Sequence, residues 1–345
     1  MAPRKLPEDP VVRLLKCQRW GVGDAGTADS CAVDLKTVHR FQHVAAHRAK
    51  LHHWQRVQDV DVTGGQLDEA PSTLRPQPVD WVHTALAMGS WFLLWVAFGP
   101  RTQERAATLV AQVVARTRQI PLFRTAGWKA YPAALLQVLG GVYRRRRRGT
   151  GGRKPTPRLV APKTLFYAQV VKVRNTTGQV VEVRRRVVCG GPRRLGQQLR
   201  LRQLGETSQT ALRERWDGTL RGLVAPLRRR PRCLSWCRAR HRGKVWLMVS
   251  LYNFVMPHKS LRQGRTSRTP AMAIGLTDPV WSYQEYSWLP VHADPALHQQ
   301  FEDRVRHLLT PALQDQPSSR KQVKVPTGES NKVQGEEENT QPKAA

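Results

Sequence analysis

Apolar and polar positions alternate in several short runs of this chain and recur at helical spacing in longer ones, the pattern of a mixed α/β protein. Residues 81–100, WVHTALAMGSWFLLWVAFGP, contain no Asp, Glu, Lys or Arg. The run is long enough to cross a bilayer. However, Gly89-Ser90 divides it into two apolar and aromatic stretches, which predicts a buried hairpin with a two-residue turn. A strand ending near Gln66-Leu67-Asp68-Glu69 precedes it. Ala106, Leu109, Val110 and Val113 share one face of a helix expected over 102–119. Pro121-Leu122-Phe123 then reads as a short strand that breaks at Gly127 and leads into a helix carrying Trp128, Tyr131, Ala134 and Leu135. The stretch FYAQVVKVRNTTGQVVEVRRRVV, 166–188, predicts a second hairpin around Asn175-Thr176-Thr177-Gly178. Helical sequence resumes at about Thr207.

Toward the N-terminus, CAVDLKTVHRFQHVAAHRAKLHHW sets Val33, Leu35, Val38, Phe41, Val44 and Ala45 at helical spacing. Lys36, Arg40, His43 and His47 lie between them, and a polar turn from Gly26 to Ser30 comes before. Two readings stand side by side. One is a helix-turn-helix module that turns Lys36, Thr37 and Arg40 toward phosphates or base edges; the other is an amphipathic helix packed on the next domain. The pattern divides the chain into an N-terminal helical unit (1–60), a core (61–290) interrupted by a basic loop and hairpin insertion (141–190), and a helical extension (291–315). The tail, 316–345, has no hydrophobic pattern and is expected to be disordered.

Charge sharpens this picture. The 345 residues hold 57 Lys and Arg against 25 Asp and Glu, a formal net charge of +32. Such an excess points to a polyanion, nucleic acid ahead of anionic membrane. Five consecutive arginines, Arg144, Arg145, Arg146, Arg147 and Arg148, stand amid glycine and proline as a flexible basic loop suited to gripping a phosphate backbone. The five cysteines are too few and too scattered for a disulfide framework, and MAPRKLPEDP is no signal peptide, so a reducing cytosol is expected.

Acids are conspicuous by position. Residues 105–181 make 77 positions without Asp or Glu, and the same window holds sixteen Lys and Arg. A site that holds hard divalent ions against phosphates needs clustered carboxylates. Two acids lie where such a site would want them: Asp68, with Glu69 beside it, and Glu214 in TALRERWDGTLRGLVAPLRRR, off the stripe of Leu212, Trp216, Leu223 and Leu227. Between them Ala126 follows a strand and precedes a glycine turn, where α/β enzymes present catalytic side chains, yet alanine has no chemistry to offer. Cys233, Cys237 and His241, spaced by four, and Cys17 and Cys31 with His39 or His43, are weaker metal candidates. Trp128 and Tyr131 read either as a platform for an extruded base or as helix core.

One downstream stretch is more specific. In SLYNFVMPHKSLRQGRTSRTPAMAIGLTD, residues 250–278, the pattern Tyr252-Asn253, Pro257-His258, Leu261 and Thr269-Pro270-Ala271 resembles the end of the catalytic domain of bacterial insertion-sequence transposases of the D-D-E class. RERWDGTLRGLVAPLRRRPRCLSW resembles the family's helix that carries the last acid, and KTVHRFQ its DNA-binding region. The resemblance covers most of residues 17–290. It implies a ribonuclease-H-like mixed sheet with an N-terminal helix-turn-helix-like DNA-binding unit, two Asp presented from strand ends and one Glu from a helix. The first Asp falls on Asp68, the Glu on Glu214 and the second Asp on Ala126, in RTAGWKAY; Asn253 and His258 take structural or orienting places. Also implied are two Mg²⁺ ions, with Mn²⁺ as substitute, which activate water or a DNA 3′-hydroxyl for in-line attack on a phosphodiester. The expected partner is double-stranded DNA, as terminal inverted repeats and target, bound by a homo-oligomer in the bacterial nucleoid without a membrane. With alanine at 126 the expectation is a catalytically impaired transposase; the alternative is a non-catalytic DNA-binding protein that keeps the fold.

Overall fold

The computed structural model describes residues 8–72, 74, 79–144, 156–204, 216, 218–222, 224, 227, 237–291 and 293–310. Its centre is a six-stranded mixed sheet. β1 (Gly64–Ser72), β2 (Asp80–Ala87) and β3 (Leu93–Gly99) form an antiparallel meander, with Leu67 opposite Ala85 and Ala85 opposite Trp95. The chain then crosses through α4 (Gln103–Arg116) and places β4 (Leu122–Ala126) parallel to β1 on its other side. β7 (Tyr167–Arg174) is parallel to β4, and β8 (Val180–Cys189) closes the order β3-β2-β1-β4-β7-β8. Two small antiparallel pairs stand apart from it: β5 (Gly141–Tyr143) with β6 (Arg158–Val160), which clamps the ends of the arginine loop, and β9 (His258–Gln263) with β10 (Thr266–Arg268).

The strands follow the hydrophobic runs. The uncharged stretch 81–100 is the β2–β3 hairpin, and no helix among the described residues is long and apolar enough to cross a membrane. Its connection is longer than the two residues expected, running from Met88 to Phe92, with Gly89 at φ +87° and the Ala87 N–H bonded to the Phe92 carbonyl at 2.7 Å. The 166–188 hairpin also forms, turning at Gly178 with φ +82°. It is not an insertion, however, because β7 pairs directly with β4 and extends the main sheet. In α4, Thr102 caps the first turn by accepting from the Arg105 N–H, and Ala106, Leu109, Val110 and Val113 are all fully buried.

The N-terminal helices are α1 (Glu8–Arg19), α2 (Asp24–Ser30) and α3 (Leu35–Arg56). The polar Gly26–Ser30 stretch is therefore helix rather than turn, and the turn lies at 31–34, where Asp34 caps α3 by accepting from the Thr37 N–H at 2.6 Å. The buried face of α3 also differs from the expected stripe. Leu35 and Val44 are about half exposed, at 46% and 50%, whereas Val38, Gln42, Ala46, Ala49, His52 and His53 are buried. Gln42 explains the offset: its amide donates to Gln18 at 3.0 Å and Asp24 at 2.7 Å, so a polar residue serves on the packed face because its partners are supplied.

α3 packs along α7 (Arg238–Phe254), closely enough that a Cβ on Gly243 would stand 3.0 Å from that of Ala46. The described residues accordingly form one compact unit. α4 also packs on α5 (Ala130–Leu139) and on the outer helix α10 (Pro295–Leu309), and Arg116, the last residue of α4, is wholly buried; its guanidinium lies 3.6 Å from the centre of Trp95 and 4.0 Å from that of Phe301 and donates to Gln112. The remaining helices are α6 (Pro192–Leu201), α8 (Pro270–Ala273) and α9 (Tyr283–Trp288).

β3 is an edge strand, and an open edge is a template for unwanted pairing. Here helices cover it. The Asn253 side chain, fully buried at the end of α7, accepts from the Leu93 N–H at 2.9 Å and donates to the Leu93 carbonyl at 3.0 Å. The His53 ring lies 3.0 Å from the Leu94 carbonyl. Replacing Asn253 by Ala strips both backbone groups of their partner, so Asn253→Ala should cost about 2–4 kcal/mol, measured as a lowered urea midpoint with unchanged slope.

Burial also sets the pH response. Desolvation holds His52 at about 4, His53 at about 3, and His83 and His241 at about 4, against an ordinary 6.5. The unfolded chain takes up these protons first, so the stability that neutral histidines contribute is complete above pH 6.5 and is lost as pH falls toward 4. Thermal melts should therefore drop steeply between about pH 6.5 and 4, each histidine costing on the order of 3 kcal/mol, and His241→Gln should flatten the drop.

Candidate functional site

The parallel register of β1 and β4 runs Gly64–Leu122, Gly65–Phe123, Gln66–Arg124 and Leu67–Thr125. Asp68 and Ala126 are the next residue on each strand. They sit side by side on one face of the sheet, since side chains at matched positions of neighbouring strands share a face. The row continues outward on both sides, to Thr84 of β2 beside Asp68, and to Val170 of β7 and Arg185 of β8 beyond Ala126. Asp68 is 4% exposed and lies in the middle of β1 rather than near its end; Ala126 is the last residue of β4, half-buried, rather than a residue past it.

The turn after Ala126 is held from β7: the Gln169 amide donates to the carbonyls of Ala126 at 3.4 Å and Trp128 at 3.3 Å. Trp128 stands in this turn, ahead of α5, and not on the helix where the periodicity put it. One row earlier, Gln66 and Arg124 share the face of Asp68 and Ala126. Arg124 is buried, its guanidinium 3.4 Å from the Leu204 carbonyl and its pKa lowered by desolvation. That buried cation beneath the Asp68–Ala126 position was not singled out in the sequence. Its only signal there is an arginine inside an otherwise apolar strand.

Glu69, adjacent in sequence, faces the other way and belongs to a different cluster. Arg101 donates to its Oε1 through Nη2 at 2.7 Å and Nε at 3.2 Å, and the Tyr131 hydroxyl donates to Oε2 at 2.9 Å. The Arg101 guanidinium lies between Trp81, at 5.0 Å, and Trp128, at 4.7 Å. Burial, then the Glu69 charge, pushes the Tyr131 phenol well above its ordinary range. Tyr131 is fully buried, Trp128 partly so, and they meet edge to face at 5.1 Å. Chemically this is an ion pair with a buried carboxylate, an exposed guanidinium and a phenol donor, which fixes α5 to β1.

The other expected residues are dispersed. Glu214 lies outside the described residues, as do Arg145, Arg146, Arg147, Arg148 and Cys233; Arg144 is exposed. Two positions beyond Glu214, Trp216 is buried and packs edge to face on Tyr252 of α7 at 4.5 Å. Leu220, Val224 and Leu227 are buried in the same segment. Tyr252 in turn meets His258, the first residue of β9, at 4.7 Å, and His258 lies 6.0 Å from Trp91. Lys36 and Arg40 are exposed near the start of α3, and Thr37 is half-buried there. Cys237 is the N-cap of α7 and His241 is buried, while Cys17 and Cys31 face each other with sulfurs 3.9 Å apart. His39 lies 3.1 Å from Arg240 and 3.4 Å from Asp24. Among the described residues no three His, Cys, Asp or Glu side chains converge to hold a metal ion.

No family model, curated protein or solved structure matches the chain. The site must therefore be read from its own geometry. Tyr131→Phe removes one donor from the buried Glu69 and should lower stability by about 1–2 kcal/mol in urea unfolding, whereas Trp128→Phe, which keeps an aromatic face toward Arg101, should cost less.

Proposed function

We propose that this chain is a transposase-type DNA-binding protein of the D-D-E class, built on a ribonuclease-H-like core and impaired in strand cleavage by Ala126. The observation that carries the reading is the register: Asp68 and Ala126, assigned as first and second acid from the sequence resemblance, are neighbours on adjacent parallel strands although 57 residues separate them. An aspartate at 126 would stand beside Asp68 on the same face, the spacing two carboxylates need to share hard cations. The mixed sheet with parallel strands at its centre, the +32 charge and the α2-turn-α3 order at the N-terminus support the same reading.

The residues present do not fit a pair of divalent ions. Beside Asp68 stands a methyl group, Arg124 brings a cation to the next row of the same face, and no third carboxylate joins them among the described residues. No cleavage step is therefore assigned to the chain as it stands. Its remaining activity in this reading is binding, by a homo-oligomer, to double-stranded DNA of an element's ends and target in a bacterial cytoplasm. Mg²⁺ or Mn²⁺ belongs to the form with aspartate restored.

The test compares the chain with its Ala126→Asp variant on a labelled duplex carrying the element's own ends, with Mg²⁺ and with Mn²⁺. The expected outcome is cleavage by the variant alone, at least about three decades faster, equivalent to some 4 kcal/mol of transition-state stabilisation. Equal cleavage by both would overturn the role given to position 126. Salt-sensitive DNA binding without cleavage by either would favour a purely DNA-binding protein, the reading that the methyl group of Ala126 itself recommends.

A further inference from the structure

The hairpin β7–β8 does two things. Near the body, Tyr167, Ala168, Gln169 and Val170 are buried and extend the sheet. Beyond them β8 continues with little beneath, every residue from Val180 to Arg184 being exposed, and Arg185 and Arg186 at the base of this part are exposed as well. Two strands alone are marginal in water, and this pair is stiffened at its tip. The Asn175 side chain accepts from the Gln179 N–H at 2.8 Å and from the Thr177 hydroxyl at 2.7 Å, while Arg174 donates to the Gly178 carbonyl at 2.6 Å. A stiff ribbon held out into solvent calls for an occupant.

Its side chains describe that occupant. Arg174 and Arg184 lie on the projecting part with Lys172, and Arg185 and Arg186 stand at its base opposite Val170 and Gln169; the one acid among them, Glu182, pairs with Arg184 at 2.8 Å. Val181 and Val183 are 61% and 50% exposed between the cations. Cationic ends with short apolar side chains between them suit a groove walled by phosphates and floored by base edges, and a two-stranded ribbon has the width that the major groove of a duplex admits. A second copy of the chain suits the edge less well, since pairing along β8 would bring another run of three arginines against Arg184–Arg186.

The register connects the ribbon to the site. Arg185 lies opposite Val170, which lies beside Ala126, so Arg185 is on the face of Asp68 and Ala126, about 10 Å from Ala126 across two strand spacings. Lys172 follows one row on, opposite Val183, on the same face. We propose that the projecting end of β7–β8 is a duplex-DNA-binding arm, which seats in the major groove and sets Arg185 and Lys172 on phosphates flanking the Asp68–Ala126 position. The inference rests on the DNA reading above and adds to it a docking element distinct from α3 and from the 144–148 loop.

The test measures binding of a fluorescent duplex of about 30 base pairs by anisotropy across a series of KCl concentrations. It uses the full chain, a triple variant with Arg184→Ala, Arg185→Ala and Arg186→Ala, and the matching triple lysine variant. The alanine variant should bind more weakly, and its slope of log affinity against log salt should shrink by about 2–3, at about 0.9 per phosphate contact; the lysine variant should keep the slope. All substituted positions are exposed, and melting curves check the fold; should the triple alanine variant melt early, Arg185→Glu alone replaces it, with the same expected direction. If the unaltered chain shows no salt-dependent binding, the DNA reading itself fails and the arm with it. If it binds and the alanine variant matches it in affinity and slope, the arm is overturned while the DNA reading stands. Loss of a DNA-free dimer in the alanine variant, seen by sedimentation, with duplex affinity unchanged would make the hairpin a protein interface and also overturn the proposal.

Discussion

The parallel pairing of β1 with β4 governs the rest of the molecule. Parallel strands cannot be joined by a tight turn, so the chain must leave β1, build the β2–β3 meander and α4, and return before β4 can form. That excursion fills one side of the sheet and fixes which residues of β1 meet which residues of β4. A slip of one position would move Leu67 from the apolar core to the polar face of Gln66 and Asp68 and turn Glu69 away from Arg101 and Tyr131. The apolar core and the Glu69–Arg101 ion pair thus hold the register from one face, and the Asp68–Ala126 neighbourhood on the opposite face follows from it.

The N-terminal helices are joined to this sheet by more than apolar contact. His53 and Asn253 reach the backbone of β3, so α3 and α7 close an edge that would otherwise be open. Polar groups on buried faces recur throughout: Gln42 bonded to Gln18 and Asp24, Arg242 paired with Asp80 at 2.9 Å, and Arg116 held between two aromatic rings. Gln42 and Arg242 rely on partners supplied from distant parts of the chain, because an unpaired buried polar group costs far more than a paired one. Arg116 instead bonds locally to Gln112, leaves Nε and Nη2 without a hydrogen-bond partner among the described residues, and is compensated by the two ring faces. Such pairs make the fold specific, since each demands one arrangement of its helix.

Charge is distributed in a way that suits a polyanion. Acids in the described core are largely committed to ion pairs, Glu69 to Arg101, Asp80 to Arg242 and Asp24 to Lys244, whereas cations populate the exposed face of α3 and the projecting hairpin. A long run of chain without carboxylates leaves β4 and β7 with no acid of their own, so that Asp68 of β1 is the acid beside Ala126. The same run is why, in the proposed reading, no sequence neighbour could stand in for an acid at position 126.

Much of this was legible in the chain. The break at Gly89-Ser90 and the Asn175–Gly178 turn gave both hairpins, helical periodicity gave α4, and the aberrant alanine before Gly127 marked the candidate site, because these are local patterns set by backbone preference and side-chain alternation. What lay beyond sequence were partnerships between distant segments. Periodicity placed Leu35 and Val44 inside and could not foresee that Gln42 would take the packed face, since its partners come from α1 and α2. It offered Asp68 and Glu69 as a pair, and only pairing on both edges of β1 assigned them to opposite faces with different companions. It read β7–β8 as an insertion, and only the β4–β7 ladder made it part of the sheet. Local preference determines which segments become strands and helices; which strands lie side by side depends on burying their faces together, and that is decided by the whole chain at once.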